Sequence, residues 1–138
     1  MQLEREPGSF LERIVARPDE YETWLQEHPE APRGSLSKRE IQAVVRASFV
    51  DVRRCYEDVL LAWPGVAGSV VVRFGIDPSG DVEGTVVVSN STGVHPLECC
   101  IAAIVRRWRF RAPDGGGPVI VTYPFILRTA PPRGGYSR

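Results

Sequence analysis

Histidine and lysine are nearly missing from this chain. Its 138 residues include two histidines, His28 and His95, and one lysine, Lys38. So few imidazoles restrict acid–base catalysis and metal ligation from the outset. Long apolar runs are missing too. Nothing approaches the roughly 18–20 residues that cross a bilayer, and the longest clusters, around Val70–Val72 and Val86–Val88, are strand-sized. Net charge is absent: 17 basic residues balance 17 acidic ones. The chain as a whole therefore has no positive field with which to grip DNA or RNA. The opening MQLEREPGSF lacks the apolar core of a secretory leader. Either a cytoplasmic protein or a piece of something longer is expected. Three cysteines, Cys55, Cys99 and Cys100, allow at most one internal disulfide and leave a free thiol.

What is present fits one globular domain with an appendage: 43% of residues are hydrophobic and 25% charged. Residues 1–34 carry eight acids against four arginines, and four of the twelve prolines. This acidic arm is expected to be separate from a body at 35–128, with a boundary near Pro32-Arg33-Gly34. Within the arm, Ser9 with Glu12 and Asp19 with Glu22 form two possible capping boxes. Phe10, Leu11, Ile14 and Val15 follow the first. Tyr21, Trp24 and Leu25 follow the second at helical spacing. Such short helices hold only if their apolar stripes dock on something. The tail from Thr129 is rich in proline and glycine and is expected to be disordered.

The body opens with the strongest helix signal, a Ser37–Glu40 capping box with Leu36 and Ile41 positioned as a staple. Apolar residues then recur through Ile41, Val44, Val45, Phe49, Val52, Tyr56, Val59, Leu60 and Trp63, predicting one helix of six turns that ends at Pro64-Gly65. The period next switches to two. Val70, Val72, Phe74 and Ile76 alternate with Val71, Arg73 and Gly75, the turn Asp77-Pro78-Ser79-Gly80 follows, and Val82 to Val88 returns as the second strand of a hairpin. Val71, Thr85 and Val87 are expected on the open face of the sheet. A second helix enters at Pro96, with Leu97, Cys100, Ile101, Ile104, Val105 and Trp108 as its inner stripe. Val119 to Leu127 is the last strand. The order αββαβ predicts a two-layer α+β domain: a three-stranded antiparallel or mixed sheet in order 2-1-3, two helices on one face, and a short N-terminal helical arm.

Catalytic and metal motifs are weak. The run Gly115–Gly117 lacks the Lys-Ser/Thr and following helix of a phosphate loop, so it reads as loop flexibility. His95, Cys99, Cys100 and Cys55 could be counted as four zinc ligands, but Cys99 and Cys100 are adjacent and diverge by about 100° on a helix. A buried cysteine is normally inert. Asp77, Asp81 and Asp114 read as turn residues. The aromatics Trp63, Phe74, Trp108, Phe110, Tyr123 and Phe125 fall at core periods. No cofactor, no metal and no enzymatic activity are expected.

Several segments together resemble a known family. They are Leu36-Ser37-Lys38-Arg39-Glu40-Ile41, Arg53-Arg54-Cys55-Tyr56-Glu57, Gly68–Ile76 with its Pro78–Gly80 turn, Ser91-Thr92, Cys100-Ile101, Val105-Arg106-Arg107-Trp108-Arg109-Phe110 and Val121-Thr122-Tyr123-Pro124-Phe125. Their order over residues 35–128 resembles the TonB C-terminal-like fold, most closely the AgmX/PglI C-terminal domain of myxobacterial gliding-motility and envelope proteins. The resemblance implies a periplasmic, non-enzymatic interaction domain of a longer or anchored protein, without nucleic acid or a membrane span of its own. It implies a partner envelope protein or peptide docked along a sheet edge. A structural module that dimerises through its sheet is the alternative. Matching cysteines in the family imply a Cys55–Cys100 disulfide, with Cys99 spare. The usual anchor and Pro-rich linker of the family have no counterpart in the sequence.

Pro124 suggests which edge. A proline cannot donate a backbone hydrogen bond, so its strand belongs at an edge with position 124 turned outward. Ile120, Thr122 and Ile126 share its parity and are expected to face out as a partner-binding edge. Val119, Val121, Tyr123 and Phe125 are expected to bond inward. Protection of the edge by Pro124 is the competing reading.

Overall fold

The computed structural model describes residues 18–129. The expected Ser9–Glu12 helix and the tail beyond Thr129 lie outside them. Seven elements follow one another: α1 (Pro18–Glu27), α2 (Lys38–Ala47), α3 (Phe49–Ala62), β1 (Gly68–Ile76), β2 (Val82–Asn90), α4 (His95–Arg106) and β3 (Val119–Leu127). The strands form one sheet in the order β2-β1-β3, antiparallel at both junctions. The sheet is not mixed. The outer strands run parallel to each other, but neither pairs with the other.

The predicted six-turn helix is two helices. The capping box is present: Ser37 Oγ accepts from the Glu40 amide at 3.0 Å, and Glu40 Oε1 accepts from the Ser37 amide at 2.9 Å. The helix then breaks at Ser48, which leaves helical geometry at φ −102°, ψ 4°. The Trp108 indole nitrogen donates to Ser48 Oγ across the core at 2.7 Å. A buried indole N–H requires such a partner, and the break presents one. The redirected α3 no longer buries its whole stripe: Phe49 is 46% and Trp63 49% exposed, while Val52, Tyr56 and Val59 stay buried.

The core lies between the sheet and α2, α3 and α4. Val70, Val72, Phe74 and Ile76 are fully buried on one side of β1, as their alternation predicts. Val45, Leu97, Ile101 and Val105 meet them from the helices. Phe74, Trp108, Phe110 and Phe125 form an aromatic cluster, with the Phe74 and Trp108 centroids 5.5 Å apart at 79°. Cys55 and Cys100 are bonded, with Cα atoms 6.0 Å apart, and tie α3 to α4. Cys55 is buried, but Cys100 is exposed, so it stands at the rim of its stripe and not within it.

The register corrects the expected faces of β2. Thr85 lies opposite Phe74 and Val87 opposite Val72, so both face the helices. Two bulges cause this. Val88 and Glu83 are each an extra residue on β2, at the register shifts beside Val71/Val72 and Gly75/Ile76. Each insertion reverses the face of the residues after it. The opposite side of the sheet carries Val71, Arg73 and Val86, all half-buried. Helix α1 touches β1 and β2, and its buried Leu25 stands outside the main core cluster. This helix therefore packs on the second face.

The glycine run is not slack. A Cβ on Gly117 would sit 2.3 Å from the Pro32 carbonyl oxygen, and one on Gly34 would sit 2.1 Å from that of Gly117. Backbone bonds join Gly34 to Pro118 and Ser35 to Asp114 in both directions. Only glycine permits two chains so close. The Pro32–Gly34 segment, expected as a boundary, is thus stitched to the loop that leads into β3. Arg111 adds a clamp. It makes an ion pair with Glu40 at the start of α2 and reaches Asp114 at 3.0 and 3.1 Å. The Arg111 hydrogen bond, then the Ser37 amide, hold the Glu40 carboxyl down at about 2. The same guanidinium lowers Asp114.

Candidate functional site

The last strand pairs with β1 through nine consecutive partners without a shift, from Gly68↔Leu127 to Ile76↔Val119. Which way its backbone points is decided by the other side of β1. Ser69 accepts from the Ser91 amide at 2.9 Å, and its own amide donates to Ser91 Oγ at 2.8 Å. Ser69 thus turns both groups toward the β2 side. Strand parity gives Val71, Arg73 and Gly75 the same direction and leaves Val70, Val72, Phe74 and Ile76 to bond β3. Their partners Phe125, Tyr123, Val121 and Val119 bond inward. Ile120, Thr122, Pro124 and Ile126 then direct their backbone groups away from the sheet.

These outward residues differ among themselves. Ile126 is 65% exposed, Thr122 is exposed and Ile120 half-buried. The Thr122 hydroxyl accepts from Arg73 Nε at 2.9 Å. Among the described residues no strand pairs with this edge.

Beside the edge lies a feature that sequence reading missed. The end of β3, residues 123–128, and the first half of α3 enclose a groove of about 350 Å³. Phe49, Val52 and Tyr56 form one wall, Tyr123 and Phe125 the other, and Arg53 and Arg128 stand over it. The exposed Phe49, placed there by the break at Ser48, was the available signal. The predicted continuous helix buried it instead.

The sulfur and imidazole groups do not converge as four ligands. Cys55 and Cys100 are bonded to each other. Cys99 is exposed, with Sγ 3.3 Å from His95 Nε2, and His95 Nδ1 lies 3.5 Å from Glu98 Oε2. Asp77 is a buried turn acceptor, taking hydrogen bonds from the Ser79 amide and hydroxyl and the Asp81 amide at 2.6–3.0 Å.

Residues 64–128 match the family model for the Gram-negative bacterial TonB protein C-terminal. The match takes in all three strands and α4, a little under half of the chain, and supports a TonB C-terminal-like fold for that part. Domains of that family are non-enzymatic, periplasmic protein-interaction modules. No curated protein and no solved structure matches the chain.

Proposed function

We propose that this chain is a non-enzymatic protein-interaction module of the bacterial cell envelope that docks an extended partner segment along β3 by strand addition. The family match supports the coarse class. One observation carries the choice of edge. β3 keeps nine unbroken pairs with outward-facing groups at Ile120, Thr122 and Ile126, whereas β2 is bulged twice. A flat, unbulged edge is a template for pairing, and a bulged edge is a protected one. Pro124 removes one donor and leaves the rest of the strand free to pair.

The finer placement is also ours. It rests on the resemblance of the Arg107-Trp108-Arg109-Phe110 and Tyr123-Pro124-Phe125 segments to the AgmX/PglI C-terminal domains, which implies a gliding-motility or energy-transduction role. In this reading residues 35–128 are the working unit, within a longer or anchored periplasmic protein. Site-specific photocrosslinking in envelope extract tests the docking edge. A crosslinker at position 122 is expected to capture a discrete protein, and one at position 83 on the β2 edge to capture none. Equal capture at both positions, or none at 122, would reject it.

A further inference from the structure

The groove beside the docking edge defines what kind of segment the edge accepts. Resting on the strand-addition reading, we infer that the preferred partner is an extended peptide with bulky apolar side chains on one face and an acidic side chain on that same face, seated between Arg53 and Arg128. Side chains of a strand alternate with period two. A strand added beyond β3 places alternate side chains on the helix side of the sheet. There it meets the groove, because residues 123–128 supply both the outward backbone of Pro124 and Ile126 and one groove wall. Docking edge and groove are one surface. The opposite wall offers Phe49, nearly half exposed, above Val52 and Tyr56. The half-exposed Phe49 beside an open strand edge fits an apolar side chain of the incoming strand.

Charge selects the rest of the partner. Arg53 and Arg128 are both exposed at the groove, and among the described residues neither has a hydrogen-bond or ion-pair partner. Other arginines already hold partners of their own: Arg111 with Glu40 and Asp114, Arg109 with Asp81, Arg73 with Thr122. Two idle guanidiniums over an apolar groove complement a carboxylate and repel a cation. Guanidinium also suits carboxylate better than ammonium would, through its planar fork of donors.

The probe is an acetylated, amidated nonapeptide of alternating valine and threonine, with glutamate at the first and last positions of the valine face. Blocking the termini removes any terminal carboxylate. Amide exchange and titration are read on the full oxidised chain. The glutamate peptide is expected to protect Ile120 and Thr122 and to bind roughly three- to tenfold tighter than its glutamine version, the size of one or two partly exposed ion pairs. That preference is expected to shrink with added salt. The double variant Arg53→Glu, Arg128→Glu is expected to prefer the lysine version. Protection of Ile120 and Thr122 with no glutamate preference would overturn the groove and leave the docking edge standing. No binding by any of the peptides would overturn both. A free chain that sediments as a dimer, and that the double variant makes monomeric, would make the occupant a second copy and overturn the inference.

Discussion

The two edges of this sheet are built to opposite ends. Both outer strands span nine residues and both pair with β1. Along β2, Val88 and Glu83 interrupt the ladder, and bulges of this kind bend a strand. Along β3 the register never shifts, and only Pro124 departs from a full set of donors. Equal length therefore does not make equal edges. What decides whether an edge is available is the continuity of its outward groups, and here that continuity is confined to β3. The groove lies at the same edge, so backbone pairing and side-chain selection can act on one incoming strand.

The comparison depends on a common support beneath both strands, and removing that support gives the largest effects. Trp108→Ala deletes a buried aromatic that touches Phe74, Phe110 and Phe125 and strands the Ser48 hydroxyl. It is expected to cost about 3–5 kcal/mol in chemical denaturation. A variant that melts within a degree of the parent would show that the two edges do not share this core. Next is the Cys55–Cys100 bond, which closes a loop with a sequence separation of 45. Replacing both cysteines by serine is expected to lower stability by up to roughly 4 kcal/mol by the chain-entropy model. The crosslinking contrast between positions 122 and 83 should survive at temperatures where the variant stays folded.

A smaller effect separates the edges directly. Pro124→Val restores the one missing outward donor on β3. Its side chain is exposed, so stability should change by no more than about 0.5 kcal/mol. Peptide affinity should rise about two- to tenfold, the net worth of one hydrogen bond. An unchanged affinity would mean that no strand pairs there. The smallest effect concerns the clamp that holds the approach to β3. Glu40 is depressed from 4.5 to about 2, first by its hydrogen bond to Arg111 and then by the Ser37 amide. A depressed carboxylate stabilises the fold above its unfolded pKa and loses that contribution as pH falls through the folded value. Acid titration of stability should therefore decline between about pH 4.5 and 2 in the parent and more shallowly in Glu40→Gln. Parallel curves would remove Arg111 from the account.

Much of this was legible in the residues. Val70, Val72, Phe74 and Ile76 announced β1 and its buried face, the Ser37–Glu40 box announced α2, and Pro124 announced an edge strand. What escaped depends on distant contacts. The 3.6-residue period runs straight through Ser48, so nothing local marks a break that Trp108 stabilises from sixty residues away. The extra residue Val88 sits in a run of strand formers, and Glu83 stands beside Gly84, a residue that hints at a bulge without placing it; only pairing with β1 locates both. Gly115–Gly117 looked slack because the backbone of Pro32 and Arg33, which needs the space, lies far off in sequence. The groove was hidden for the same reason: it joins residues 49–56 to 123–128.

Amide exchange of the full chain, free and with the glutamate nonapeptide, tests the central claim most directly. In the free protein the amides of Val119, Val121, Tyr123 and Phe125 should exchange slowly and those of Ile120 and Thr122 quickly. With peptide, Ile120 and Thr122 should become protected while the β2 edge stays unchanged. Slow exchange at Ile120 and Thr122 in the free monomer, or new protection along β2 in place of β3, would contradict it.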